Sequence, residues 1–337
     1  MSRKIAINGF GRIGRMVFRI LHEIDELEVV AINDLTDPEM LAHLLRYDSV
    51  HRRYEAEVEV RDGHIHVDDR RVNTTAERNP ANLPWAELGV ELVLECTGVF
   101  RNKEKASAHL TAGAKAVVIS APAKGGPIDA TVVVGVNDDQ LKPGSHQVVS
   151  NGSCTTNCLA PVIKVLDDQF GVEQGVVTTI HSYTNDQRLL DFPHSDKRRA
   201  RAAAMSMIPT STGAAAAIGK VLPHLEGRLD GISVRVPTPN VSLVDAVVQV
   251  RDEVTVDAVN NALEAAANGP LKGILDFETA PLVSSDYIGN SHSSIVDAEN
   301  TKVSGGHLVK VLSWYDNEWG FSCRMVDLTK LMLGMER

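Results

Sequence analysis

The chain has 337 residues, 34 of them Lys or Arg and 44 Asp or Glu, for a formal net charge of −10, and 43% of it is apolar. That length exceeds one small core and predicts two domains. The acidic balance argues against nonspecific binding to nucleic acid or an anionic membrane, no run is apolar enough to span a bilayer, and four cysteines are too few for a disulfide framework.

The opening, MSRKIAINGF, has no signal-peptide pattern, because its short apolar run meets Asn8 and Gly9 at once. A cytoplasmic location is therefore expected. KIAINGFGRIGRMVFRIL reads as a strand, a glycine turn and an amphipathic helix, with Val17, Ile20, Leu21 and Ile24 at helical spacing. LEVVAIND follows as a second buried strand, completing a right-handed βαβ unit. Gly9, Gly11 and Gly14 stand in G-x-G-x-x-G spacing between that strand and helix. One glycine permits the tight turn, one lets backbone approach a pyrophosphate, and one packs helix on strand. Asp34, at the end of the next strand, is placed to accept from an adenosine ribose and to repel a 2′-phosphate, which favours NAD.

Further along, AEVEVRDGHIHVDDRRV alternates and carries the hairpin signal Asp62-Gly63. His64, His66 and Asp68 share one face there, but no fourth ligand accompanies them, so no metal is expected. ELVLECTGVF, KAVVISAP, ATVVVGVN and HQVVSN read as strands, and NKEKASAHLTAGA as a helix. To about residue 152 this is a doubly wound, Rossmann-like α/β domain with a parallel sheet.

The second half changes character. GVVTTIHSY, LDGISVRVPTP, VSLVDAVVQV and GHLVKVLSWYD are longer strands, with helices at VDAVNNALEAAAN and DLTKLMLGM. This predicts an α+β domain over 153–316 with a largely antiparallel sheet. Residues 183–204 read as a long ordered loop, and loops of that length tend to be functional. Within it KRRAR is read as a solvated or subunit-facing stretch, with no nucleic acid as a main partner.

Cys154 lies in SNGSCTTNC, at an expected helix start that Ser153 can cap. A first-turn cysteine feels the positive end of the helix dipole, which favours thiolate. His181, at a strand end, is a candidate base. The pattern alone leaves Cys154 open between a nucleophile and a packing residue. Pro161 should kink the helix, and Cys158 is read as packing.

INGFGRIGR, AIND, ECTGVF, SNGSCTTNCLAPV, IHSYTNDQ, RRARAAAMSMIPTSTGAA, RVPTPNVSLVD and WYDNEWGF together closely resemble the phosphorylating glyceraldehyde-3-phosphate dehydrogenase family. Gly152 departs from the family's usual Ala. The resemblance implies Cys154 as nucleophile and His181 as its base, acting through a thiohemiacetal and a thioester. It assigns the substrate phosphate to Thr184 and Arg235. It assigns inorganic phosphate to Ser153, Thr155, Thr212 and Gly213, with Arg199 nearby. Arg12 and Ile13 match the pyrophosphate turn, Thr97 and Ser120 the cofactor cleft, Arg78 the adenine side, and Asn317 the nicotinamide amide. It further implies a homotetramer, a neighbouring subunit's Phe192-Pro193 loop beside the ribose, and a C-terminal helix, about 317–337, returning to the nucleotide domain. Erythrose-4-phosphate dehydrogenase, a thiol hydrolase and a non-catalytic nucleotide-binding protein are the competing readings.

Overall fold

The computed structural model describes Ser2–Arg337. The chain divides into two compact units. One takes the chain up to Val132 with Gln140–Gly152 and Ser322–Arg337; the other takes Val133–Asp139 and Ser153–Phe321. Val133–Asp139 thus leaves the span that the sequence suggested for the nucleotide domain.

In the first unit the strand order is Ala130–Thr131, Val148–Ser150, Ala116–Ile119, Leu92–Glu95, Arg3–Asn8, Leu27–Asn33 and Arg70–Thr75, all parallel. His64–Val67 and Val58–Arg61 extend it as an antiparallel hairpin. Both central residues of that hairpin's turn, Asp62 and Gly63, have positive φ, of 51° and 75°, as a type I′ turn requires. Ile5, Ile7, Val93, Leu94, Val117 and Val118 are fully buried, as strands covered on both faces demand. The order runs outward in both directions from Arg3–Asn8, so the sheet's switch point lies at the end of that strand.

In the second unit the order is Ile208–Ser211, Leu229–Val236, Val172–Ser182, Ser242–Val250, Leu308–Tyr315, Ser294–Asp297 and Leu275–Glu278, with Lys302–Ser304 also on Leu308–Tyr315. Pairing is antiparallel, except that Val172–Ser182 runs parallel to Leu229–Val236 and Leu275–Glu278 to Ser294–Asp297. Ser242–Val250 is buried at every second residue, so one face of the sheet carries the core. Helix Cys154–Phe170 lies on it, packed against helices Ala214–Val221 and Val256–Asn268.

One expectation needs correction. The run ATVVVGVN is a strand only at Ala130–Thr131. Val132, Val133 and Val134 are fully buried, but the chain turns there: Asn137 accepts from the Val133 amide at 2.8 Å and Asp138 from the Gly135 amide at 2.6 Å. Helix Cys154–Phe170 runs for 17 residues with Pro161 inside it. The last helix is Trp319–Met332, and Ser322–Arg337 belong to the first unit.

Candidate active site

In the first unit a cavity of about 430 Å³ opens at the carboxyl ends of Arg3–Asn8, Leu27–Asn33 and Leu92–Glu95, the switch point of the sheet. Gly9, Gly11, Asp34, Arg78 and Thr97 line it. A Cβ on Gly14 would stand 2.2 Å from the Gly9 carbonyl oxygen, and one on Gly9 2.7 Å from the Thr97 amide nitrogen. The turn therefore closes onto helix Arg12–His22 only as glycine. A Cβ on Gly11 would meet nothing within 4 Å, so this wall is open. Gly11 is also the helix's N-cap, without a side-chain hydrogen bond. Asp34 accepts from the Phe10 amide at 2.8 Å and the Thr36 amide at 3.1 Å, one on each oxygen. Each oxygen keeps a further lone pair for a ribose. Arg12, Ile13, Gly14 and Ser120 do not line the cavity. The Arg12 guanidinium pairs with Asp48. Burial alone would raise the Asp48 carboxyl, but the His51 amide, Arg12 and the Val50 amide hold it down at about 2.

Behind Asn8, Asn33 and Thr97 of the cavity lining lies a buried polar ladder. Trp85 Nε1 donates to His109 Nδ1 at 3.1 Å, which leaves the His109 proton on Nε2, 3.0 Å from Glu95 Oε2. Glu95 also accepts from Asn8 Nδ2 at 2.6 Å, from the Thr97 amide at 2.8 Å and from the Thr97 hydroxyl. Asn33 Nδ2 donates on to Asn8 Oδ1 at 2.7 Å. Sequence reasoning passed over Asn8, Asn33, Glu95, His109 and Trp85. The signal was there: three apolar strands, KIAIN, LEVVAIN and LVLE, each end in a buried polar residue.

In the second unit the strand register gathers a second site. His181 pairs with Arg235 in the parallel ladder, and Ser242 with Tyr315 in an antiparallel one. These side chains meet at one end of the sheet, where helix Cys154–Phe170 begins. Ser153 caps that helix by accepting from the Thr156 amide at 3.0 Å. Cys154 Sγ lies 3.5 Å from His181 Nε2, with Cys154 half-buried and His181 buried. Burial pushes the Cys154 thiol up, and the Arg235 charge and the Thr155 amide offset this only in part. Burial, then Arg235, pushes His181 down to about 3. Burial thus disfavours charge on either partner, against the helix dipole that the sequence suggested would favour thiolate. Tyr315 meets the His181 ring edge-on at 5.9 Å and shares its hydroxyl with Thr155 at 2.9 Å and Thr179 at 2.8 Å. Asn317 Oδ1 accepts from Ser182 Oγ at 2.8 Å and Ser242 Oγ at 2.9 Å, which fixes the amide with its NH2 on the other side.

The remaining residues expected to hold phosphate belong to this unit too. Thr184 is half-buried just beyond the His181 strand, and Gly213 is the exposed N-cap of helix Ala214–Val221, with Thr212 accepting from the Ala214 amide at 3.2 Å. The Thr155 hydroxyl turns inward to Tyr315. Arg199 pairs with Asp186 and reaches Thr210 at 3.0 Å and the Ser211 carbonyl at 3.2 Å. Arg235 Nε is buried with no partner among the described residues. Cys158 is buried, its sulfur 3.6 Å from Ser294 Oγ. In the hairpin Asp68 pairs with His22 at 2.9 Å and His64 accepts from the Thr74 amide at 2.9 Å.

Residues 3–103 match the NAD binding domain of glyceraldehyde 3-phosphate dehydrogenase, and residues 153–317 its C-terminal domain. The chain belongs to the glyceraldehyde-3-phosphate dehydrogenase family. It is 58% identical over 328 residues to the glyceraldehyde-3-phosphate dehydrogenase of Geobacillus stearothermophilus, covering 97% of each chain. It is 58% identical to that of Cereibacter sphaeroides, covering 98% of this chain and 99% of the relative. To glyceraldehyde-3-phosphate dehydrogenase 2 of Bacillus subtilis the identity is 52%, over 98% and 96%. The family's two domains are the Rossmann-type parallel sheet and the largely antiparallel sheet described above.

Proposed function

We propose that the chain catalyses the NAD-dependent, phosphorylating oxidation of D-glyceraldehyde 3-phosphate to 1,3-bisphosphoglycerate. The observation that carries this is the Cys154–His181 contact of 3.5 Å at a helix N-terminus, in a family member. Cys154 Sγ adds to the aldehyde carbon, the thiol proton passing by way of His181 Nε2 to the aldehyde oxygen to give a thiohemiacetal, and His181 takes the hydroxyl proton as the hydride leaves. NAD, when bound, supplies the hydride acceptor that turns this into a thioester. A phosphate oxygen then attacks the acyl carbon, the C–S bond breaks, and Cys154 leaves as thiolate. Thr184 and Arg235 are read as ligands of the substrate phosphate. Ser153, Thr155, Thr212 and Gly213, with Arg199 nearby, are read as ligands of the attacking one. Guanidinium forks, hydroxyls and helix-start amides all suit oxyanions.

The first unit fits NAD on its own geometry. The Gly11 wall is open beside a helix start that suits a pyrophosphate, and Asp34 keeps acceptor capacity for ribose hydroxyls. Gly9, Gly11, Asp34, Arg78 and Thr97 would hold it, with the backbone of Arg12, Ile13 and Gly14 at the turn, Ser120 on the cleft side, and Asn317 for the nicotinamide amide.

Self-association into a homotetramer is part of the reading. Leu189, Leu190, Phe192, Met205 and Met207 expose 65–81% of their surface within one irregular segment. Side chains of this kind are the ones interfaces cover. No described helix is long and apolar enough to cross a membrane, and a cytoplasmic enzyme is proposed. The test is NADH formation from glyceraldehyde 3-phosphate, with and without inorganic phosphate and with erythrose 4-phosphate as competitor. Cys154→Ser should abolish it and leave cofactor binding intact. Turnover that ignores phosphate, or that survives in Cys154→Ser, would count against the reading.

A further inference from the structure

An amide side chain can face a ligand with its oxygen or with its NH2, and the two ends recognise opposite partners. At Asn317 a count of protons decides between them. Asn317 Oδ1 lies 2.8 Å from Ser182 Oγ and 2.9 Å from Ser242 Oγ, and both serines are buried. Ser242 Oγ also accepts from the Ser182 amide at 3.1 Å, so its own proton points elsewhere. With the amide oxygen towards the serines, its two lone pairs take both hydroxyl protons and every group is satisfied. The two Oγ atoms are 3.3 Å apart, beyond an ordinary O–H···O bond, as befits two donors that share one acceptor. Turned the other way, the NH2 would give its hydrogens to the two serines. One hydroxyl could then donate to the other, and the last proton would have no acceptor among the described residues. Stranding a buried donor is costly, so the oxygen faces inward.

The surrounding backbone is held. Ser182 ends the strand that carries His181, and Ser242 opens the strand beside it, paired with Tyr315. Val241, just before Ser242, has a φ of +66°, which a β-branched residue adopts only where its surroundings over-determine it. Its side chain is buried in a cluster with Tyr287 and Ile295. Beside Asn317, Asp316 accepts from the Gly289, Glu318 and Trp319 amides at 2.8, 2.9 and 2.8 Å. With the backbone pinned, the serine hydroxyls decide which way the amide turns. Asn317 keeps 7% of its surface, and its Nδ2 makes no hydrogen bond among the described residues. The NH2 is the end left for a ligand.

We propose that Ser182 and Ser242 clamp Asn317 with its NH2 outward, so that the site reads the 3-substituent of the cofactor's pyridinium ring as a hydrogen-bond acceptor, through its carbonyl oxygen and not through its NH2. The idea rests on reading Asn317 as the ligand of the nicotinamide amide. Ser182 and Ser242 act through Asn317 as positioning residues. A substituent that only accepts is kept, and one that only donates meets NH2 with NH2 and is rejected.

The experiment is binding calorimetry on the full-length protein with two dinucleotides that differ only at this substituent. 3-Acetylpyridine adenine dinucleotide carries a carbonyl and no N–H. 3-Aminopyridine adenine dinucleotide carries an NH2 and no carbonyl. The parent should bind the acetyl compound about tenfold more tightly, the size of one hydrogen bond made against one donor left unmet. In Ser182→Ala with Ser242→Ala the amide can turn, and the preference should shrink towards parity. Serines that were merely structural would weaken both compounds alike and leave their ratio unchanged. Asn317→Asp offers the cofactor an acceptor whichever oxygen the serines hold, so there the preference should reverse. A parent that binds both compounds alike overturns the clamp, and that measurement decides by itself if the double variant does not fold. If Asn317→Asp reverses the preference and the double serine variant keeps that of the parent, the clamp falls alone. If Asn317→Asp leaves the ratio unchanged, the reading of Asn317 falls and the clamp with it. In each case NADH formation from glyceraldehyde 3-phosphate by the same preparation judges the proposed function separately.

Discussion

At the scale of single residues, burial decides more than charge does. Desolvation, and then the Arg235 charge, push His181 down to about 3 from an ordinary 6.5. A buried neutral histidine binds its proton more weakly in the folded state than in the unfolded one. Its contribution is complete above about pH 6.5 and is lost as pH falls towards 3, at up to about 1.4 kcal/mol per pH unit. His181→Asn removes that slope. Between about pH 6 and about pH 4, the stability of the parent relative to the variant should fall by about 2–3 kcal/mol in urea titrations. Parallel stability profiles would mean that His181 is solvated enough to protonate in place. Glu95 is buried too, its carboxyl group held by His109, Asn8 and Thr97. Glu95→Gln puts an NH2 where donors already converge. It should destabilise the protein by about 3 kcal/mol, as leaving buried donors of a hydrogen-bonded network unpaired does, and weaken cofactor binding in calorimetry. Unchanged melting would show that the ladder's other members hold together without it.

At the scale of elements, a local pattern could be read where local chemistry decides. Asp62-Gly63 announced its hairpin, Ser153 its cap, and VDAVNNALEAAAN its helix, now Val256–Asn268. The register of distant strands has no local mark. That His181 would pair with Arg235 in a parallel ladder inside a mostly antiparallel sheet is written nowhere near either residue. The short strands Leu275–Glu278 and Ser294–Asp297 were missed for the same reason, since each is defined by its partner. ATVVVGVN misled because an apolar run reports burial, and burial was achieved without a strand. The Trp319–Met332 helix was read from DLTK onward because buried Phe321, Met325, Val326 and Leu328 blur the helical period. Gly152, just ahead of the Ser153 cap, carries a consequence at this scale. Its φ is +67°, a region that costs a residue with a Cβ about 1–2 kcal/mol. Gly152→Ala, the family's usual residue, should therefore lower stability by about 1 kcal/mol, read as a fall in denaturation midpoint at constant slope. An equal or higher midpoint would show that the turn relaxes to accept a methyl group.

At the scale of the whole molecule, cofactor choice and assembly become one question. Asp34 lines its cavity with both oxygens already bonded to backbone amides. Asp34→Gly should relieve the repulsion of a 2′-phosphate but also loosen the loop, so NAD use falls while NADP use rises only in part. Pro193 is exposed on the irregular segment, its carbonyl held by Arg188 at 3.0 and 3.1 Å. If a neighbouring subunit's loop crowds the ribose, Asp34→Gly with Pro193→Ser should favour NADP more than either change alone. The measurement is kcat/KM for both cofactors in the parent and three variants. A parent that uses NADP as well as NAD would sink this account.

The division of the chain also sets an order in time. The unit that begins at the amino end takes back residues 322–337, bringing in buried Met325, Val326, Leu328 and Met332, and Arg3 Nη1 donates to the Leu333 carbonyl at 3.2 Å. Removing those residues should strip that unit of several buried side chains worth roughly 1.5–3 kcal/mol each, as an upper bound. It should become protease-sensitive while Ser153–Phe321 stays resistant. On a ribosome the same fact means that synthesis and completion run in opposite orders. At about 5–20 residues per second, the first sheet waits roughly 10–40 s for its last helix. Meanwhile every residue of the second unit has already emerged. The part of the molecule made first is the part finished last, and a nascent chain must shelter an incomplete core through most of its own translation.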